Sequence, residues 1–248
     1  FSTSGFIAPI LSGVGIDRFG YRVTFLLLAL FTVLPVLALA MKQIPFPKPT
    51  PRPHGTAPGD VFDLLRDAHL RNLFITMAIL TVSWDVYNFA IPVHGIRIGL
   101  SASEIGIVMG TFAAATFTVR LAMPFFVNRV HPWTMLVTAL MVSGASFFAL
   151  SFTTSIGLMM VLIFLLGLGL GAPQPMVLTL LHESAPPGRA GDALGLRTTL
   201  INGSQTVMPL LFGAVGAALG MLPVFWAIAG ILVGGGVFAD RIRRRIVP

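Results

Sequence analysis

The sequence predicts an all-α membrane protein, a polytopic helix bundle, and three observations predict it. Hydrophobic residues make up 55% of the 248 positions and charged residues only 10%. Soluble domains carry roughly 25% charged residues, so this chain has too few to cover a water-facing surface. Its mean hydropathy is +0.89. The apolar residues gather in runs of about 20, the length a helix needs to cross ~30 Å of hydrocarbon. Such runs are too long for barrel strands. The same balance excludes a disordered chain. With no cysteine, there is no disulfide framework, thiolate metal site or cysteine nucleophile. The net charge of +7 does not point to nucleic acid, because the basic residues sit in gaps between apolar runs rather than in one patch.

Taken in order, a short apolar stretch over residues 1–16 precedes full spans at 23–41, 72–93, 104–126, 132–151, 155–181, 194–216 and 222–239. Breaks fall on turn and charge clusters: Asp17-Arg18-Phe19-Gly20, His94-Gly95-Ile96-Arg97, Asn128 to Pro132, and His182 to Asp192. The first stretch has no basic region before it, unlike a signal peptide, and reads as the latter part of a span. Residues 42–71 form the one long connection. Prolines at 45, 47, 49, 51, 53 and 58 favour an extended linker in its first half. In its second half Phe62, Leu65 and His69 fall on one side and Asp60, Asp63 and Asp67 form a polar stripe, which predicts an amphipathic surface helix.

The chain therefore divides into 1–41, the end of one half; 42–71, a central cytoplasmic loop; 72–239, a six-helix bundle; and 240–248, a basic tail. Placing Arg241, Arg243, Arg244 and Arg245 in the cytoplasm puts every Lys and Arg on that side except Arg18, Arg22 and Arg97. That is the positive-inside pattern. The location expected from it is a bacterial inner membrane with a cytoplasmic C-terminus.

At an offset of 200 residues the chain resembles itself. Ser4, Pro9, Leu11, Gly13, Gly20, Phe25 and Ala29 recur as Ser204, Pro209, Leu211, Gly213, Gly220, Phe225 and Ala229. Proline and glycine in a membrane helix permit bends and close backbone contact. The first spans thus look like the counterpart of the last two, in a molecule of two similar halves.

Ordered motifs carry a family resemblance. Gly5-Phe6-Ile7-Ala8-Pro9-Ile10-Leu11-Ser12-Gly13 resembles the Gly/Pro-rich fifth helix of major facilitator superfamily transporters. Gly13-x-x-x-Asp17-Arg18-x-Gly20-Tyr21-Arg22-x-x-Phe25 resembles the turn to their sixth helix. It also fits their turn between the second and third helices; the Gly/Pro pattern before it and the offset of 200 favour the former. Arg120-Leu121-Ala122-Met123-Pro124 through Asn128-Arg129 resembles the charged turn after the eighth helix, with Pro124, Asn128 and His131 as departures. Gly167-Leu168-Gly169-Leu170-Gly171-Ala172-Pro173 resembles the tenth helix, and Pro186 to Gly191 the start of the eleventh.

The resemblance implies a fragment running from about the fifth to the twelfth helix of a two-half transporter. The missing N-terminal half of the same parent chain would hold four more spans and the start of the fifth. Gating or helix packing falls, by the same resemblance and the Gly/Pro pattern, to Pro9, Gly13, Asp17, Arg18, Arg120, Arg129, Gly167, Gly171, Pro209 and Gly213.

Asp85 is the acidic residue well inside a full span. A carboxylate in hydrocarbon costs at least a few kcal/mol, so such a residue faces a cavity or a partner. Asn88 follows at i+3, with Trp84 and Tyr87 adjacent. An acid, an amide and aromatic rings suit an organic ligand or a proton path; a structural carboxylate is the plainer alternative. Gln174, Arg197 and Asn202 are further substrate-path candidates, Arg197 as a fixed cation that attracts anions or as a snorkelling residue.

Gly167-x-Gly169-x-Gly171 lies within a span and lacks the spacing of a dinucleotide fingerprint. The histidines lack metal-site spacing. No cofactor, metal, nucleic acid or enzymatic step is expected. The expected partners are a small organic solute, protons and the lipid bilayer. The expected function is secondary transport by alternating access, with a non-transporting receptor or scaffold of the same fold as the alternative.

Overall fold

The apolar runs fold as helices and the turn clusters set their ends. The computed structural model describes residues 2–41, 61–126, 129–186 and 189–246; the proline-rich linker and Asn128 lie outside them. The elements are α1 (Ser2–Ala40), a 3-10 turn (Val61–Leu65), α2 (Ala68–Arg97), α3 (Ala102–Phe126), α4 (Pro132–Leu150), α5 (Ile156–Gly171), α6 (Pro173–Ser184), α7 (Ala190–Leu219) and α8 (Met221–Ile246). Among the described residues there is no strand.

Helices α2, α3, α4 and α8, and the α5–α6 pair taken as one segment, are long and apolar enough to cross a membrane. Helix α7 is equally long, but Asn202, Ser204 and Gln205 make it less apolar.

Three boundaries differ from the sequence expectation. The amphipathic helix expected across 61–70 is only a 3-10 turn, because Asp67 caps the next helix: its Oδ1 accepts the Leu70 N–H at 2.9 Å, so Ala68, His69 and Leu70 become the first turn of α2. The span expected over 155–181 stands as one segment long enough to cross a membrane, but its hydrogen-bond ladder is interrupted at Ala172, because Pro173 and Pro175 have no N–H for the Gly169 and Gly171 carbonyls. Helix α3 begins before Glu104. Ser101 and Glu104 form a reciprocal cap there, Ser101 N–H to Glu104 Oε2 at 2.8 Å and Glu104 N–H to Ser101 Oγ at 3.2 Å.

The repeat at offset 200 has a backbone counterpart. Gly20 kinks α1 with φ 75° and ψ 168°. Gly220 separates α7 from α8 with φ 86° and ψ 179°. Both lie where a side chain is strained, so each half turns between its two helices on a glycine of the same geometry.

Lipid supplies no hydrophobic drive for helix association, so close approach over small residues does the packing. Helix α3 lies between α1 and α5, and α4 between α5 and α8. A Cβ on Gly167 would stand 2.7 Å from the Phe112 carbonyl oxygen, and one on Gly169 would stand 3.1 Å from the Ala139 carbonyl. Gly167 and Gly171 thus face α3 while Gly169 faces α4. Large side chains fill the remaining core: Phe147 of α4 meets Phe225 of α8 with ring centroids 6.3 Å apart, and Trp133 at the start of α4 meets His69 of α2 edge-on. Thr76, Ser83 and Thr116 donate to carbonyls one turn back, which satisfies these hydroxyls, whereas the buried Ser143 Oγ of α4 has no partner among the described residues.

Two contacts tie helix ends together. Arg97, at the end of α2, donates to the Gly216 carbonyl near the end of α7 at 2.8 Å. Asp17 sets the junction of α1 with α3: its carboxylate accepts the Ala102 N–H at 3.2 Å and the Ser103 N–H at 2.7 Å. These are orphan donors at the positive end of α3. Beneath this contact Gly13 faces the Ala102 carbonyl, and a Cβ on Gly106 would meet the Pro9 carbonyl at 2.5 Å.

The Ser103 hydrogen bonds hold the Asp17 carboxyl below its ordinary value of 3.8. A lowered folded value stabilises above the unfolded one, so this contribution is complete above pH 3.8 and is lost as pH falls through the lowered value. Spin labels on α1 and α3 should therefore hold their separation at neutral pH and spread in strong acid. In Asp17→Asn that acid transition should be absent.

Candidate functional site

Three helices present periodic faces to one cavity. Thr81, Trp84, Asp85 and Asn88 recur on α2 at i, i+3, i+4 and i+7; Met109, Phe112, Ala113, Thr116 and Arg120 on α3 at i, i+3, i+4, i+7 and i+11; Arg197, Ile201 and Gln205 on α7 at i, i+4 and i+8. Together with Tyr87 of α2, Gln174 of α6 and Pro9 of α1 they enclose about 630 Å³.

Asp85 is 7% exposed. One of its carboxylate oxygens accepts the Ser204 hydroxyl at 2.5 Å, so a neutral donor rather than an arginine answers the charge. The aromatic wall is ordered by its own contacts. Tyr87 stacks on Phe112 with ring centroids 3.8 Å apart, and Trp84 meets the same ring edge-on at 5.0 Å. The Tyr87 hydroxyl donates to the Met109 carbonyl at 3.3 Å, which fixes the ring between α2 and α3.

Positive charge lies at the other end of the cavity. Arg197 is seven residues before Ser204 on α7, about 10 Å along a helix axis. Its Nε is buried and meets no acceptor among the described residues. Arg120, near the C-terminal end of α3, also lines the space.

The structure thus gathers the substrate-path candidates Trp84, Asp85, Tyr87, Asn88, Gln174 and Arg197, and adds Pro9 and Arg120 to the same wall. Asn202 is not brought to it. Residues 197, 201 and 205 share one face of α7, and position 202 is turned well away from that line and exposed. Gln205 and Ser204 supply the polar groups of α7 instead.

Phe112, Thr81 and Thr116 were not singled out by sequence, although their i+3 and i+4 spacing to polar cavity residues was a usable signal. Among the candidates for gating or packing, Gly213 lies 3.5 Å, measured from a Cβ, from the Phe89 ring. Pro209 sits within α7, and Arg18 and Arg129 are exposed at turns.

Known proteins resemble this chain in sequence along nearly its whole length. The family model described as Major Facilitator Superfamily matches residues 1–209 and again 73–247. The chain belongs to the major facilitator superfamily. As a member, it is a multi-pass membrane protein. Its similar relatives include the "Multidrug resistance protein MdtG" of Citrobacter koseri, 25% identical over 246 residues, which cover 96% of this chain and 60% of that protein. The protein of the same name from Escherichia coli O9:H4 is 22% identical, covering 98% of this chain and 61% of the relative. This superfamily chain therefore spans about three fifths of the length of these relatives.

Proposed function

We propose that the whole protein is a secondary transporter of small organic solutes, not an enzyme, and works by alternating access around the cavity between α1, α2, α3 and α7. The observation that carries this reading is the buried Asp85, set opposite an arginine end and beside an aromatic wall in a space of about 630 Å³. Intramembrane charge lining a cavity is the mark of a solute or proton path. Binding near the midplane, between halves that rock, is the arrangement of secondary transporters. Membership of the superfamily and the relatives' names support an organic solute.

Asp85 is the proton-carrying group in this reading, and its exchange between Ser204 and a proton or solute couples the two fluxes. An N-terminal portion supplies the facing half of the path, and Pro9 stands where the two halves meet.

The C-terminus faces the cytoplasm of a bacterial inner membrane, so that the arginine tail of α8 lies on the positive side. Cysteine at Ser155 should then label from outside intact cells, whereas cysteine at Ala185 or Thr56 should label only once the cytoplasmic side is opened. External labelling at Ala185 would invert the topology.

Transport itself is tested by counterflow of organic solutes into proteoliposomes holding the whole protein. Saturable binding with no flux of any bound solute would replace the transport reading with that of a receptor.

A further inference from the structure

We infer that the cavity selects amphipathic organic anions, a carboxylate or similar acid on an aromatic body, with the acid held by Arg197 and the rings by Trp84 and Phe112. This rests on the reading of the cavity as a solute site and names the solute's chemistry.

The charge balance of the lining comes first. Among the described lining residues the charged groups are Arg120, Arg197 and Asp85. The carboxylate already accepts the Ser204 hydroxyl and lies about two turns of α7 away from Arg197 along the axis. It therefore leaves Arg197 without a neutralising acid among the described residues. A cation entering that end would meet the Arg197 guanidinium.

The hydrogen-bond balance agrees. Arg197 Nε is a buried donor with no acceptor among the described residues, and leaving a buried donor unsatisfied is costly. A carboxylate accepting from the guanidinium fork answers that donor in the geometry arginine favours. Gln174, which lines this cavity and a smaller one beside it together with Arg197, offers amide N–H groups to the same oxygens. From that end the wall passes to Met109, Phe112 and Trp84, with the Phe112 ring held between Trp84 and Tyr87. An apolar, planar body lies along it while the acid stays at the arginine.

The test compares two probes of equal ring size and opposite charge, 2-naphthoate and 2-naphthylmethylammonium, by equilibrium binding to the whole protein in lipid nanodiscs. Naphthoate should bind at least about ten-fold more tightly than the ammonium probe, a difference of about 1.4 kcal/mol. Arg197→Gln should abolish that preference. Arg197→Lys, which keeps the charge and loses the fork, should retain part of it, so a poorly folding glutamine variant does not remove the test. Equal or tighter binding of the ammonium probe would overturn the inference, as would undiminished naphthoate affinity in folded Arg197→Gln or no binding of either probe.

Counterflow in proteoliposomes separates the two readings. Naphthoate that binds through Arg197 without flux keeps the anion site and removes transport. Flux of the ammonium probe, unchanged by Arg197→Gln, keeps transport and removes the anion site.

Discussion

Asp85→Asn in the whole protein is expected to abolish proton-driven accumulation while leaving the fold intact. Asparagine keeps the size of the side chain and still accepts the Ser204 hydroxyl, which bonds Asp85 at 2.5 Å in the native chain. It removes only the titratable charge. A pH difference of one unit supports about ten-fold accumulation per coupled proton, since a tenfold ratio corresponds to about 1.4 kcal/mol. In proteoliposomes with an imposed gradient the variant should fall to equal concentrations inside and out, while exchange of labelled for unlabelled solute continues. The measurement pairs accumulation with thermal unfolding in detergent. Loss of folded protein in both Asp85→Asn and Asp85→Ala would make the carboxylate structural. Unchanged accumulation, solute affinity and stability would remove it from the mechanism.

The second large effect is expected at Gly167. A Cβ there would stand 2.7 Å from the Phe112 carbonyl oxygen and 2.8 Å from the Ala115 Cβ. The first of these is backbone, so no flexible side chain swings clear, and Gly167→Leu must push α5 away from α3. Overpacking of this kind costs about 1–3 kcal/mol. It also shifts Phe112, whose ring forms the cavity wall with Tyr87 and Trp84. Thermal unfolding should occur at clearly lower temperature, and solute affinity should fall with it. Gly234→Leu on α8 is the control, because nothing stands within 4 Å of its added Cβ. Equal stability of Gly167→Leu and Gly234→Leu would show that the α3–α5 contact is not close in the membrane.

The membrane class, the helical fold and the superfamily were legible in the sequence. Apolar runs near membrane thickness and turn clusters are local properties of a chain, and lipid allows few backbone solutions other than helices. The glycine turns were legible for the same reason. Gly20 and Gly220 stand at matching positions of a repeat, and a left-handed backbone favours glycine wherever it occurs. Local chemistry also set the helix starts at Asp67 and Ser101, although the capping pattern Ser101-x-x-Glu104 was passed over in favour of hydropathy. The break at Pro173 was hidden by hydropathy as well, because proline interrupts the hydrogen-bond ladder without making the segment polar.

The cavity was legible only in part. Asp85 stood out because an acid within an apolar span is rare and costly, and its neighbours Trp84, Tyr87 and Asn88 followed from helical spacing. On α7 the sequence reading chose Asn202 and not its near neighbours Ser204 and Gln205. Tertiary structure decided among them: Ser204 reaches Asp85, Gln205 joins Arg197 and Ile201 in the lining, and Asn202 does not. A helix in lipid is apolar around most of its circumference, so its pattern marks no inner face, and the face is chosen by which neighbours its small residues let approach. Sequence by itself thus determined that this chain spans a membrane as helices and where those helices turn. Only packing across α2, α3, α6 and α7 decided which polar side chains share one cavity, because that depends on the rotation of each helix about its own axis.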